Sequence, residues 1–161
     1  MIRFCALLCC LLPFSSFAAT DGSARTTPDY VELGEYLSAP ADIEVWYTAL
    51  YRLRDNFDQI CGDTFCEGDY SNIQALRLSC SVQRVSGMLG RCVWAFAASQ
   101  EDIDPATGGV RVAPKIWRCR LPLARGATVS ALLNAWSGER PLYAPLPGSN
   151  KSAYEALGDC L

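Results

Sequence analysis

The chain has 161 residues, 50% hydrophobic and 19% charged, with 14 basic and 17 acidic side chains, nine cysteines and no histidine. The missing histidine excludes Ser-His-Asp and Cys-His catalytic machinery and the common zinc sites built on imidazole. The acidic total argues against nucleic acid as a partner.

Residues 1–18 read as a cleavable secretory signal. Arg3 supplies the basic start, Phe4 to Phe14 is almost wholly apolar, and Ser16 and Ala18 provide the small residues for a cut after Ala18. The apolar run falls short of the roughly 20 residues that cross a bilayer. Leu8 stands where a lipid anchor at Cys9 or Cys10 would want a small residue. The expected location is therefore periplasmic or secreted, with no membrane insertion once the signal is removed. Residues 19–40 read as an N-terminal arm, in which Asp29 to Leu37 has room for a short helical turn, and residues 41–161 as a single α+β domain.

In that domain the strongest signal is Ile43, Trp46, Leu50, Leu53, Phe57 and Ile60, spaced 3, 4, 3, 4 and 3 apart. This spacing predicts an amphipathic helix over Asp42 to Ile60, with Pro40 tolerated at its start. Cys61 to Asn72 breaks the period with glycines and carboxylates and reads as a loop. Leu76, Leu78, Cys80 and Val82 then alternate with polar residues, which predicts a half-buried strand. Val85-Ser86-Gly87 forms a hairpin loop and places Cys80 roughly opposite Cys92. A second strand is expected over Met88 to Ser99, with Cys92, Trp94, Phe96 and Ala98 inward, and a third over Val110 to Leu123, with Trp117, Cys119 and Leu121 inward. Pro114 marks a bulge or an edge in that third strand. Thr128 to Trp136 and Ser152 to Leu161 read as short helices. The expected fold is α+β: a long N-terminal helix on a three-stranded antiparallel meander, followed by one or two short helices and held by disulfides.

Six cysteines follow the signal: Cys61, Cys66, Cys80, Cys92, Cys119 and Cys160. An even number in an exported chain predicts disulfides. At most two of Cys80, Cys92 and Cys119 can pair with each other, so the third must reach the Cys61–Cys66 loop or Cys160.

The remaining chemistry is charge. Asp55, Asp58, Asp63, Glu67 and Asp69 cluster at the helix end and in the following loop. A solvated acidic loop is the expected reading. A calcium site lacks the regular ligand spacing of an EF-hand, and a glycosidase pair needs two facing carboxyls. No metal or cofactor is expected. Residues 20–70 hold 11 acids and 3 bases, whereas residues 71–125 hold 3 acids and 8 bases. Arg77, Arg91, Arg118 and Arg120 fall at outward strand positions and form a candidate partner-binding face, or pair internally with the acidic half. The expected function is a small exported non-enzymatic binding protein, such as a periplasmic inhibitor or immunity-type protein, acting on an unidentified protein partner. A carboxylate-dependent enzyme on a cell-wall or secreted glycan is the alternative, and a structural component of the envelope is a third reading.

Overall fold

The computed structural model describes residues 29–161. The expected signal at residues 1–18 and the first part of the arm lie outside them. The chain runs β1 (Tyr30–Glu32), α1 (Leu33–Tyr36), α2 (Pro40–Cys61), β2 (Gln74–Gln83), β3 (Leu89–Ile103), β4 (Val110–Arg120), α3 (Val129–Trp136), a 3-10 turn at Pro141–Tyr143, and α4 (Ala153–Gly158). The four strands form one antiparallel sheet in the order β1-β2-β3-β4.

The fold is α+β, with two corrections to the sequence expectation. The sheet has four strands, because Tyr30–Glu32 pairs with Ser81–Gln83 of β2. The long helix is consequently not the first element. Three residues are too few to show an alternation, so β1 left no periodic signal. Among the described residues no helix is long and apolar enough to cross a membrane.

Helix α2 starts with Pro40 in its first turn, where the missing N–H costs nothing. It buries Trp46, Ala49, Leu53, Asn56 and Phe57. Ile43, Leu50 and Ile60, expected on the same stripe, are only half-buried at its margins. Phe57 sits at the centre of the core, with its ring centroid 6.1 Å from Trp94 and 4.9 Å from Phe96 on the inner face of β3. Trp46 stacks on Trp136 of α3 at 6.1 Å. Trp94, Trp117, Cys119 and Leu121 are buried on that inner face, as the alternation predicts.

Strand β2 departs from simple alternation. Ala75 pairs with Phe96 and Leu78 with Trp94, so β2 uses one more residue than β3 over the same interval. This bulge turns both Ala75 and Leu78 inward and leaves Leu76 45% exposed, against its expected inward place. Pro114 interrupts no register in the β3–β4 pairing and lies on β4, an edge of the sheet. The β2–β3 turn ends at Gly87, whose φ of 67° suits glycine.

Three disulfides close the structure: Cys61–Cys66, Cys80–Cys92 and Cys119–Cys160. The first ties the end of α2 to its loop and the second bridges β2 and β3. The third fastens the C-terminal segment to β4. Such a set fits an extracellular or secreted protein. The loops closed span 5, 12 and 41 residues. On the chain-entropy account, removing them should cost about 2, 3 and 4 kcal/mol respectively. Urea unfolding of the three double Cys→Ala variants should reproduce that order; a Cys119/Cys160 variant as stable as the Cys61/Cys66 one would contradict it.

Helix α4 carries a capping box. The Ser152 hydroxyl accepts from the Glu155 N–H at 3.3 Å, and Glu155 accepts from the Ser152 N–H at 2.7 Å. The Ser152 backbone and side-chain hydrogen bonds hold the Glu155 carboxyl below its ordinary pKa. A lowered folded-state pKa stabilises above the unfolded value and is lost as pH falls through the folded one. Thermal melts should therefore show Glu155→Gln narrowing its stability gap to the wild type as pH drops through and below the usual carboxylate range. A gap that stays constant down to pH 2 would remove this contribution.

Candidate functional site

With the aromatic side chains of β3 and β4 turned toward α2, the alternate residues form the opposite, outer face of the sheet. The pairing sets them in rows: Val93 with Arg120, Ala95 with Arg118, Ala97 with Ile116, Ser99 with Pro114, Glu101 with Val112, and Ile103 with Val110. The far half of this hairpin is exposed on both faces from Gln100 to Ile116. It projects as a two-stranded ribbon. Ile103, Val110, Val112 and Ile116 are each more than half exposed and occupy the outer side. At the tip, Asp104 accepts from the Ala106 N–H at 2.9 Å and the Thr107 hydroxyl at 2.7 Å, which fixes the turn.

Toward the base of the ribbon the outer face becomes basic. A groove of about 530 Å³ runs across all four strands, with Tyr30, Ser79, Ser81, Val93, Arg91 and Arg120 on its walls. Its shape depends on Gly90. A Cβ there would come within 2.7 Å of the Tyr30 ring and 2.8 Å of the Ser81 hydroxyl. Ser81 in turn accepts from the Arg91 N–H at 2.9 Å and holds that backbone against β2.

The structure brings Arg91 and Arg120 together in this groove and sets Arg118 two residues along β4 on the same face. It does not bring in Arg77. The β2 bulge takes Arg77 out of the row, and its side chain lines a separate cleft between α2 and the sheet. The ion pairs of the described residues join Arg52 to Glu139, Arg84 to Asp29, Arg111 to Asp102 and Lys151 to Asp159. Arg77, Arg91, Arg118 and Arg120 take part in none of them. Intramolecular neutralisation by the acidic half is therefore not what these four side chains do among the described residues.

The acidic loop is organised by its aromatic residues. Phe65 stacks on Phe57 at 5.8 Å, and Tyr70 meets Trp117 edge-on at 5.3 Å. Lys115 lies 4.6 Å from the Trp117 ring centre and 5.0 Å from that of Tyr70. Asp63, Glu67 and Asp69 point to solvent, and Asp55 accepts from the Gln59 side chain at 2.8 Å. None of the clustered carboxylates lines the groove or the cleft. Among the described residues no three His, Cys, Asp or Glu side chains converge as a metal site would require. Sequence reasoning missed Tyr30, Gly90 and the apolar ribbon. The alternation Val110, Val112, Pro114, Ile116 carried the ribbon's signal.

No protein-family model, curated protein or solved structure matches the chain.

If Gly90 sets the groove, Gly90→Ala should shift the NMR resonances of Tyr30 and Arg91 while the core signals of Trp94 and Phe57 stay in place. Unchanged Tyr30 resonances would show that the ring is not seated on Gly90.

Proposed function

We propose that the protein is a non-enzymatic binding protein that docks an acidic protein partner on the outer face of its sheet. The observation that carries this reading is the basic base of the ribbon. Arg91, Arg118 and Arg120 share one face, none has an acidic partner among the described residues, and exposed apolar side chains continue that face along the ribbon. Guanidinium forks pair with carboxylates in two parallel hydrogen bonds, and the aliphatic row adds area that a partner removes from water. A face of cations beside apolar groups selects an acidic surface with apolar side chains of its own. The three disulfides pre-organise this surface, which lowers the ordering cost of association. An inhibitor or immunity-type role in the periplasm or outside the cell is consistent with that rigidity.

The Arg118→Glu/Arg120→Glu variant tests the reading. Both side chains are exposed, so the melting free energy should change by no more than about 0.5 kcal/mol per site. Immobilised wild-type protein should retain one stoichiometric acidic protein from periplasmic or secreted extract, released by raised salt, and the variant should lose it. Retention of the same protein by both would move the contact off this face. Unfolding of the variant would mean that the two arginines are structural.

A further inference from the structure

The cleft that takes in Arg77 lies on the other side of the sheet, away from the proposed docking face. It measures about 310 Å³, at the lower end of the range of small-molecule sites, roughly 300–1,000 Å³. Its floor is apolar and fixed by the core: Trp46, Leu53, Leu78 and Trp94 are each buried to more than nine-tenths. Tyr47, 60% exposed, and Leu76, 45% exposed, stand at its mouth. Leu76 is there because the β2 bulge turns it out of the sheet's inner row.

The polar groups of the cleft are unequal in sign. Arg54 and Arg77 face one carboxylate, that of Glu32. Arg54 spends one nitrogen on the Leu76 carbonyl at 2.9 Å. Glu32 is already engaged, accepting the Gly34 N–H at 2.6 Å to cap α1. Arg77 has no ion pair or side-chain hydrogen bond among the described residues. The balance is one net positive charge, with the Arg77 fork open.

Two further donors sit at the Glu32 end. A Cβ on Gly34 would lie 2.9 Å from Glu32 Oε2, 3.5 Å from Tyr47 Oη and 3.8 Å from Trp46 Nε1, so these three groups gather around one point. Neither the phenol nor the indole N–H has a hydrogen-bond partner among the described residues, although Trp46 is only 1% exposed.

We propose that this cleft is a binding site for a small amphipathic carboxylate. Its anionic head pairs with the Arg77 guanidinium, and its ring-bearing or branched body lies against Tyr47, Leu50 and Leu76, above the buried Trp46 and Trp94 rings. A single net positive charge selects a monoanion, and the volume limits the body to about one ring.

The probes are 4-phenylbutyrate and its neutral isostere 4-phenylbutyramide, titrated into the mature protein and followed by the Trp46 indole N–H resonance. The carboxylate should give a saturable shift and bind about tenfold tighter than the amide, the ratio expected for one charged hydrogen-bonded contact. Arg77→Gln should reduce carboxylate binding to the level of the amide, and Arg118→Glu/Arg120→Glu should leave it unchanged. The wild-type comparison of carboxylate with amide needs no variant, so it stands even if Arg77→Gln fails to fold. Absence of a saturable shift, equal binding of the two probes, or full carboxylate affinity in a folded Arg77→Gln protein would overturn the proposal. Because the docking reading rests on Arg118 and Arg120, either can fail without the other.

Discussion

Everything in this structure depends on the packing of α2 against one side of the sheet. Phe57 lies among Phe65, Trp94 and Phe96, and Trp46 ties the other end of the helix to Trp136 of α3. Truncating a buried aromatic of this kind generally costs about 3–5 kcal/mol, a large part of a small domain's total stability. The described chain has a single hydrophobic core, and it lies on the helix side of the sheet. Packing the apolar side chains of β2, β3 and β4 there forces the alternate residues to the outer face. The exposure of Arg118, Arg120 and the ribbon's aliphatic row is thus a consequence of how Trp117 and Cys119 are buried.

The same constraint explains why the two candidate surfaces are chemically different. On the helix side, the bulge in β2 opens a space beside α2 with an aromatic floor and polar walls. The outer side is flatter, and Gly90 lets the Tyr30 ring close one end of its groove. The disulfides fasten the margins of this arrangement: the end of α2, the β2–β3 pair, and the C-terminal segment on β4. Each surface is held by short-range covalent or core contacts, which reduces the freedom it must lose on binding.

The periodic parts of the fold were legible in the sequence. The 3–4 spacing marked α2 because about five turns of helix repeat the signal, and the alternation of β3 and β4 was long enough to fix which side Trp94 and Trp117 take. The length of the intervening turn placed Cys80 opposite Cys92, but the pairing of the six cysteines stayed open until the strands and the C-terminal segment were packed together. The failures were places where one residue changes the phase. A single inserted residue in β2 exchanges the faces of the side chains on either side of it, which misplaced Leu76 and took Arg77 out of the arginine row. Strand β1 was too short to register. The cleft assembles β1, α2 and β2 through tertiary packing, so no local pattern announced it.

The outer face of the sheet is bare, and its arginines are free of ion pairs among the described residues. Timed modification of the native protein with phenylglyoxal, read by peptide mass spectrometry, measures that exposure residue by residue. Arg52 is the internal reference, since it bonds the Ser137 and Gly138 carbonyls and pairs with Glu139 at 2.6 Å. Arg91, Arg118 and Arg120 should react several times faster than Arg52, at rates approaching those in the unfolded chain. If Arg118 and Arg120 are protected as strongly as Arg52, the face is covered in the protein itself, and the account is wrong.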